Sequence, residues 1–390
     1  MTQPPSFENF NDNGTQLVCK LKKAIYGLRQ APRVWFNTFH SFLIGKLGFQ
    51  PSKTDSSLFV WLSSCSKLYL MAYVDDIVIT GSSPSEISNV VQQLHAEFFL
   101  KDLGNLNFFL GIEVTRNSSS LVLTQHKFIT DLLSTAGLLG ASLAPTPMVE
   151  SPLLSSTDGS PFPDGHLYRS IVGSLQYICL TRPDLCCCVN KLSQYMNNPL
   201  ATHWKVVKHV LRYLIGTLHH GLCITPGDPI LVPFSDADWV SSIEDRHSTS
   251  SFCILFGPTP VAWSAKKQSI VSRSSSEAEY RSLANCVSEL IGLQHLLEEL
   301  GVKTSHTPIV WCDNSVVVSV TTNPTHHARM KHVDIDLHFV REKVLAGQLS
   351  VNYVPSADQL ADIFTKPIPL RNFSHFSNQL YLVDSIKFAT

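Results

Sequence analysis

Residues 68–80 read LYLMAYVDDIVIT, and their two apolar runs around an acidic pair predict the local fold. Apolar, strand-forming runs at 68–72 and 77–80 flank the tetrapeptide Tyr73-Val74-Asp75-Asp76. Two such runs joined by a short turn predict a β-hairpin. We therefore expect Asp75 and Asp76 at the tip of a hairpin.

The acidic pair predicts a metal site. Adjacent carboxylates repel each other, and burial beside apolar strands raises the cost of ionising both. A hard divalent cation such as Mg²⁺ prefers carboxylate oxygens and would remove this conflict. Nucleotidyl transfer uses such a cation to neutralise phosphate charge and to position the attacking oxygen. A plain acidic turn is the alternative, because Asp is common in hairpin turns.

The sequence on both sides of the hairpin resembles a known family. Residues 21–33 read LKKAIYGLRQAPR, residues 101–104 read KDLG, and residues 109–114 read FLGIEV. In this order the segments closely resemble the reverse transcriptase of copia-type LTR retrotransposons. The resemblance implies that YGLRQAP lies near the template and the incoming nucleotide, that Asp75 and Asp76 serve the metal site, and that the FLG turn grips the primer. The contacts that it implies are Gly27, Arg29, Gln30, Phe109, Leu110 and Gly111.

The same resemblance predicts an incomplete polymerase site. The family's first metal-binding Asp and its triphosphate-holding fingers would lie upstream of Met1, which is therefore expected to be an internal methionine of a polyprotein. Asp75 and Asp76 alone would leave the metal under-coordinated. Templated DNA synthesis is accordingly expected to be absent.

Composition limits the class of protein. The chain has 390 residues, 44% hydrophobic and 16% charged, with a net charge of −1. These values predict a globular protein of two to three domains. With a net charge near zero, any phosphate-binding surface must be local, and a solvated charged face is the alternative for each basic cluster. The clusters are Lys20, Lys22, Lys23, Arg29 and Arg33, and, further along, Lys205, Lys208 and Arg212.

The cysteines and histidines indicate an intracellular protein without a zinc site. The ten cysteines form no CxxC pair, and residues 186–188 are three in a row, so we expect reduced thiols. The histidine pairs at 219–220 and 326–327 lack the partner spacing of a zinc site. No signal peptide or membrane-spanning run stands out. We expect a cytoplasmic protein, in a virus-like particle as the family implies, with the nucleus as the alternative and no membrane partner.

The middle of the chain predicts a loop followed by helices. Residues 145–163 are rich in Pro, Ser and Gly, which is typical of a linker or a long loop. Residues 168–217 show helical periodicity, broken at Arg182-Pro183-Asp184 because proline interrupts a helix. Thr202 is the candidate cap of the later helix. The resemblance implies a connection or thumb that contacts the primer–template duplex.

Residues 229–365 carry a second acidic pattern. A strand at 231–235 leads into Asp236, and strands near 252–256 and 261–264 follow. A helix is expected to begin in the run SSSEAE at 274–279, where Ser276 and Glu279 have capping-box spacing. A strand at 309–312, a helix near 333–344, a strand at 349–354 and a final helix opened by 355–362 complete the series. This order of elements is that of the ribonuclease H fold.

Four carboxylates must converge in such a fold to hold two Mg²⁺ ions about 4 Å apart. The segments around these acids resemble the copia-type RNase H domain, and the resemblance implies the ligands Asp236, Glu279, Asp313 and Asp358. The nearest alternatives are Asp238, Glu277 and Asp362. Each acid alone is commonly a helix cap or a solvated side chain, whereas the ordered set favours a metal site. Pro233 is unexpected in a central strand, because it cannot donate a ladder hydrogen bond.

Together these patterns predict a multidomain protein of the α+β and α/β classes. Residues 1–143 are expected to form a reverse transcriptase remnant, with a partial polymerase palm of antiparallel sheet and helices. The expected remainder is a linker with a helical thumb or connection at 144–226, an RNase H-like five-stranded mixed sheet with helices at 227–368, and a C-terminal tail at 369–390.

These domains predict an Mg²⁺-dependent ribonuclease H, with Mn²⁺ as the alternative ion. The expected partners are an RNA–DNA hybrid and a primer–template duplex, with a second copy of the chain or other Pol products as further candidates. Two other functions stay open. One is an inactive transposon relic that only binds nucleic acid, and the other is a scaffold for a complete polymerase subunit.

Overall fold

The chain divides into two compact units, Met1–Gly104 and Asn105–Thr390. The computed structural model describes residues 2–21, 27–74, 76–149, 151, 154–242, 244–322 and 331–389. Mixed helices and sheets make up both units, in agreement with the α+β and α/β classes expected from the sequence.

The first unit is an antiparallel sheet packed against two helices, with strand order β1-β2-β3-β4. Its elements are α1 (Ala31–Gly45), β1 (Gln50–Pro51), β2 (Leu58–Leu62), β3 (Lys67–Tyr73), β4 (Asp76–Gly81) and α2 (Pro84–Phe98). Alternate residues of β3, namely Leu68, Leu70 and Ala72, are buried in the core, as expected for a strand with one face on the core. The predicted hairpin is present, because β3 pairs with β4 and Tyr73 lies opposite Asp76.

The second unit contains two five-stranded sheets and a group of helices. Its elements in chain order are β5 (Phe108–Phe109), β6 (Ile112–Arg116), β7 (Leu121–Thr124), α3 (His126–Thr135), α4 (Gly165–Ile178), α5 (Cys186–Ser193), α6 (Ala201–Gly216), β8 (His220–Ile224), β9 (Leu231–Asp238), β10 (Thr249–Phe256), β11 (Thr259–Lys267), α7 (Ser275–Glu299), β12 (Ile309–Cys312), α8 (Ser315–Thr322), α9 (Asp334–Leu345), β13 (Ser350–Tyr353), α10 (Asp362–Thr365), α11 (Leu370–Gln379), β14 (Leu382–Asp384) and α12 (Ser385–Ala389).

One sheet of the second unit is mixed, with strand order β11-β10-β9-β12-β13. Strands β9, β10 and β11 are antiparallel neighbours, whereas β12 runs parallel to both β9 and β13. The ladder between β9 and β12 comprises Phe234 and Ser235 and therefore begins just past Pro233. On the other side of β9, Pro233 lies opposite Ile254 of β10. Helix α7 packs on the sheet through Tyr280 and Leu283.

The other sheet is antiparallel, with strand order β14-β8-β7-β6-β5. Its outer strand β14 comes from the segment 369–390, for which the sequence predicted only a tail. In the structure this segment supplies α11, β14 and α12, and Phe373 and Phe376 of α11 are buried in the helical core. The closing residues are therefore an integral part of the second unit.

A buried ion pair connects the helices of the second unit. The predicted break after α4 is confirmed as a 3₁₀ turn, Pro183–Leu185. Arg182 Nε and Nη2 donate to the two carboxylate oxygens of Asp184 at 3.0 and 2.8 Å, with both side chains fully buried. The Tyr213 hydroxyl of α6 donates to the same carboxylate at 2.7 Å, and Arg182 also donates to Thr217 O at 3.0 Å. This network joins the turn to the end of α6.

The predicted linker is a packed loop. Its described residues contain no helix, but Ala144 and Met148 are buried in the helical core. The Thr202 hydroxyl donates to Asp158 O at 2.7 Å in this loop. The cap position of α6 is Leu200, so the prediction of Thr202 as a cap was wrong, and the Thr202 side chain instead fastens the loop to the helix.

The thiols agree with the expectation of reduced cysteines. All ten cysteines are free, and six of them are buried. Across the part of the chain that the structure describes, no helix combines the length and the apolar character needed to cross a bilayer.

Candidate metal centre and nucleic-acid contacts

Asp236 lies near the C-terminal end of the central strand β9 and is buried. Its backbone carbonyl accepts a hydrogen bond from Ser282 Oγ at 2.7 Å, which fixes the strand against α7. Its side-chain oxygen Oδ2 accepts a hydrogen bond from Thr365 Oγ1 at 2.6 Å. The carboxylate is thus held in one orientation from the α10 side.

Asp313 follows the neighbouring parallel strand β12. Because Cys312 lies opposite Ser235 in the register, the residues that follow them, Asp313 and Asp236, come to the same edge of the sheet. The carboxyl ends of parallel strands are a common place for ligand sites for this reason. Ser356 Oγ donates to Asp313 Oδ2 at 2.8 Å.

Glu279 lies in the second turn of α7 and is buried. The helix begins after Ser274, whose side chain accepts from Glu277 N at 3.2 Å, while Glu277 Oε2 accepts from Arg273 N at 2.7 Å. The cap therefore pairs Ser274 with Glu277, and the predicted pairing of Ser276 with Glu279 was wrong. This leaves Glu279 free to face the sheet edge, where its Oε2 has no hydrogen-bond partner among the described residues.

The structure brings Asp362, rather than Asp358, to the other acids. Asp358 ends the 3₁₀ turn Ser356–Asp358 and is exposed. Beyond it the chain turns inward, because Gln359 Nε2 donates to Ser235 O at 2.9 Å. Asp362 is consequently buried at the start of α10, where its Oδ2 lies 2.8 Å from Lys366 Nζ. The predicted ligand Asp358 therefore lies outside the acid group, and its alternative Asp362 lies within it.

The acids form two overlapping groups among the described residues. One atom from each of Asp236, Asp313 and Asp362 lies within 4.8 Å of the other two, and Glu279, Cys312 and Asp313 meet the same limit. Asp313 belongs to both groups. The alternatives Asp238 and Glu277 belong to neither.

Burial strongly perturbs these carboxyl groups. It raises the pKa of Asp236 to about 8, with the Asp362 charge adding to the effect, and raises that of Glu279 to about 10, where Asp236 and Asp313 contribute. Burial also raises the pKa of Asp362, although Lys366 opposes the shift. Carboxylates held this close need a shared proton or a cation to offset their repulsion.

The donor set suits a hard divalent cation. Asp236, Asp313, Asp362 and Glu279 present carboxylate oxygens, which Mg²⁺ and Mn²⁺ prefer. Besides Glu279 Oε2, the buried Asp362 Oδ1 has no hydrogen-bond partner in the described part of the chain. Such orphaned buried oxygens are costly unless something pairs with them. The residues present therefore fit a divalent metal.

The acids of the first unit have a different setting. Asp76 is exposed at the start of β4, and Asp75, Lys22 and Lys23 lie outside the described residues. Lys20, the remaining member of that basic cluster, is exposed, as are four predicted contacts close to the start of α1: Gly27, Arg29, Gln30 and Arg33.

The predicted FLG turn lies within the second unit. Leu110 and Gly111 join β5 to β6 with φ values of 48° and 77°, and glycine adopts such a left-handed conformation readily. The Tyr177 hydroxyl of α4 donates to Leu110 O. The turn, with Phe109 half-buried before it, is therefore held against a helix.

The basic residues of α6 differ in their availability. Lys205 is exposed and Lys208 is half-buried. Arg212 donates from Nε to Ser142 O at 2.6 Å and from Nη2 to Leu143 O at 3.4 Å, so its guanidinium is engaged with the preceding loop. The two lysines are thus the better candidates for phosphate contact.

Sequence reasoning missed the side chains that hold the acids, namely Ser356, Thr365 and Lys366. The spacing of Asp362 and Lys366, four residues apart, is a signal that indicates an ion pair on a helix. No comparable sequence signal indicates the two hydroxyl contacts, because they join residues far apart in the chain.

Comparison with known proteins gives consistent matches. Residues 1–150 match the family described as reverse transcriptase (RNA-dependent DNA polymerase). The retrovirus-related Pol polyprotein from transposon RE2 of Arabidopsis thaliana is 44% identical over 98% of this chain and 26% of its own length. A transposon Ty5-1 protein of Saccharomyces cerevisiae is 32% identical over 74% of this chain and 94% of its own length. The chain spans about a quarter of the RE2 polyprotein.

Among solved structures, the N-terminal RNase H domain of a Mycobacterium tuberculosis protein, fused to maltose binding protein, is similar to part of this chain. The similarity covers 39% of this chain and 98% of that one, with 18% identity and a TM-score of 0.26.

Proposed function

Since this chain belongs to the family of copia-type retrotransposon Pol polyproteins, we propose that its second unit is a divalent-metal-dependent ribonuclease H. The proposed substrate is the RNA strand of an RNA–DNA hybrid, and Mg²⁺ is the proposed ion, with Mn²⁺ as a substitute. The first unit belongs to the reverse transcriptase part of the family, and Asp75 and Asp76 are proposed to serve its metal site.

The proposal rests on the convergence of four acids. Four acids from separate elements converge at one edge of a mixed sheet, where Asp236 comes from β9, Glu279 from α7, Asp313 from the end of β12 and Asp362 from α10. The five-stranded mixed sheet β11-β10-β9-β12-β13 supports the RNase H-like domain predicted from the sequence. Lys366 pairs with one oxygen of Asp362, but the buried oxygens Glu279 Oε2 and Asp362 Oδ1 have no hydrogen-bond partner among the described residues, which favours a metal site over a purely structural ion pair.

The four acids are proposed to hold two cations. Asp236, Asp313 and Asp362 are proposed to hold one cation, and Asp313 with Glu279 a second one. Bound divalent cations supply activation of water and stabilisation of the departing ribose oxygen in phosphodiester hydrolysis. Thr365, Ser356 and Lys366 each contact the Oδ2 atom of a different Asp, and the Oδ1 atom of Asp362 has no hydrogen-bond partner among the described residues.

Nucleic-acid binding is proposed to use local basic surfaces. Lys205 and Lys208 of α6 are the available cations of the second unit's predicted cluster, and the FLG turn at 109–111 is proposed to contact the primer strand. Contacts to phosphates release counterions and make binding sensitive to salt. Association with a second copy or with other Pol products stays a prediction.

The test is cleavage of labelled RNA in a hybrid by the full chain, with single-stranded RNA and duplex DNA of the same sequence as comparison substrates. We expect cleavage of the hybrid only, in Mg²⁺ or Mn²⁺, with loss of activity in excess chelator. Glu279→Gln should abolish cleavage, because the amide keeps the shape of the side chain but loses the charge that a cation requires.

The outcomes separate the functions that the sequence left open. Hybrid binding without cleavage in either ion would refute the nuclease and identify an inactive nucleic-acid-binding relic. Neither binding nor cleavage would favour the scaffold. Cleavage that persists in Glu279→Gln would refute the proposed site.

A further inference from the structure

Each Asp of the three-acid group has one oxygen held by a different side chain. Thr365 Oγ1 donates to Asp236 Oδ2 at 2.6 Å, and Ser356 Oγ donates to Asp313 Oδ2 at 2.8 Å. Lys366 Nζ lies 2.8 Å from Asp362 Oδ2. All three donors lie between Ser356 and Lys366, in the segment that connects β13 to the end of α10.

This segment is itself fixed to the sheet that carries the acids. Gln359 Nε2 donates to Ser235 O of β9 at 2.9 Å, and Ser251 Oγ of β10 donates to Ala361 O at 3.0 Å. Ile363 and Phe364 are buried in the helical core. The segment that carries the donors is therefore tied to the sheet and to the helical core, and its hydrogen bonds restrain the orientation of the carboxylates.

We propose that the hydroxyls of Ser356 and Thr365 are positioning groups that set the metal affinity of the acidic site. The inference rests on the proposed metal-dependent function and adds to it the residues that orient its ligands. A carboxylate with one oxygen held presents the other in a fixed direction, so less conformational freedom is lost when a cation binds. Removal of such an outer contact typically weakens metal binding by about 10- to 100-fold.

Ser356 and Thr365 can be tested by different substitutions because Ser356 is exposed and Thr365 is buried. Ser356 is exposed, and its hydroxyl contact with Asp313 joins residues 43 positions apart, so Ser356→Ala should cost the fold little. Thr365 is fully buried, and its hydroxyl lies 3.2 Å from Asp362 O as well. Thr365→Val keeps the shape without the hydroxyl, whereas Thr365→Ser keeps the hydroxyl.

The experiment is calorimetric titration of the full chain with Mn²⁺ and with Mg²⁺, without nucleic acid. We expect Ser356→Ala and Thr365→Val to weaken metal binding by about 10- to 100-fold. Ser356→Thr and Thr365→Ser keep the hydroxyl and should bind metal like the wild type. Thr130→Val is the matched control, because the Thr130 hydroxyl donates at 2.8 Å to His126 O within its own helix. That control should bind metal like the wild type.

Hybrid cleavage by the same proteins distinguishes the two proposals. Variants that bind metal like the wild type would overturn the positioning role while leaving the nuclease intact. A second outcome is that the wild type binds metal, that Ser356→Ala and Thr365→Val bind it more weakly, and that the wild type does not cleave the hybrid. This outcome would support the positioning role and refute the nuclease. A wild type that binds neither ion would overturn both.

Discussion

The two acidic sites of this chain are built in opposite ways. In the first unit the acids are consecutive in sequence at a hairpin, and Asp76 there is exposed. In the second unit the acids come from β9, α7, β12 and α10 and are mostly buried. Among the described residues, both groups close enough to share an ion lie in the second unit.

The difference shows what burial adds to an acidic motif. Asp76 is exposed to water, so a cation bound there would relieve no cost of burial. Buried carboxylates that face one another resist ionisation, and the pKa values of Asp236 and Glu279 are raised for this reason. A cation at the buried site therefore relieves an existing cost.

The largest effect should come from the acid that belongs to both groups. We expect Asp313→Asn to reduce hybrid cleavage by roughly a thousandfold or more, since loss of a charged ligand disables metal-assisted hydrolysis. Asp76→Asn in the first unit should leave cleavage within about twofold, the scatter expected of a change outside the site. Labelled-RNA cleavage rates measure both. Equal losses would mean that the two sites do not act separately.

A second contrast concerns stability. Asp184→Asn should destabilise the second unit by about 3–5 kcal/mol, because it leaves the fully buried Arg182 charge without a carboxylate. Glu97→Gln in the first unit removes an exposed ion pair with Lys46 and should cost less than about 1 kcal/mol. Urea unfolding followed by circular dichroism measures the two changes. A small loss for Asp184→Asn would show that the turn relaxes to admit water.

A third contrast lies within the second site. Asp362→Asn should slow cleavage by about a hundredfold, the upper range for a change that weakens metal binding. The exposed Asp358→Asn should change it by less than about twofold. Sequence reasoning predicted the reverse order for these two residues. The cleavage rates of the two variants in Mg²⁺ measure this contrast. A larger loss for Asp358→Asn would favour Asp358 as the fourth metal ligand.

The smallest effect concerns pH and metal removal. Burial raises the pKa of Asp236 in the folded protein to about 8, above the ordinary value of 3.8. Protonated Asp236 therefore stabilises the folded state relative to the unfolded chain. This contribution is complete at low pH and is lost as the pH rises through about 8. In chelator, Tm should fall by roughly 2–4 °C or more between pH 5 and pH 9. Asp236→Asn, or added Mg²⁺, should reduce the dependence, and the part that remains in Asp236→Asn reflects Glu279, whose pKa is also raised.

Sequence patterns predicted the elements better than the contacts between them. The hairpin at 68–80 and the broken helices around Pro183 follow from local periodicity and turn residues. Asp236 and Asp313 were predicted to converge, and the structure brings them together, because Asp236 lies near the end of β9 and Asp313 directly follows the parallel neighbour β12.

The contacts that sequence patterns did not predict have a common physical origin. The placement of Asp362 depends on the turn that Gln359 anchors to β9, and the role of Thr202 depends on a carbonyl in the loop before α4. Arg212 is occupied by two carbonyls of that same loop. Each of these contacts joins residues far apart in the chain, and local propensity contains no information about them.

The pairing of β14 with β8 bears on the order in which the chain folds during its synthesis. Leu382 lies opposite Leu222, so the whole acid-bearing sheet is inserted in sequence between two strands that are neighbours in space. A ribosome delivers β8 long before β14, and pairings between distant segments form slowly. Until β14 emerges, β8 presents an unpaired edge of the kind that invites intermolecular association. The nascent chain is therefore most vulnerable to aggregation while the inserted sheet is being made.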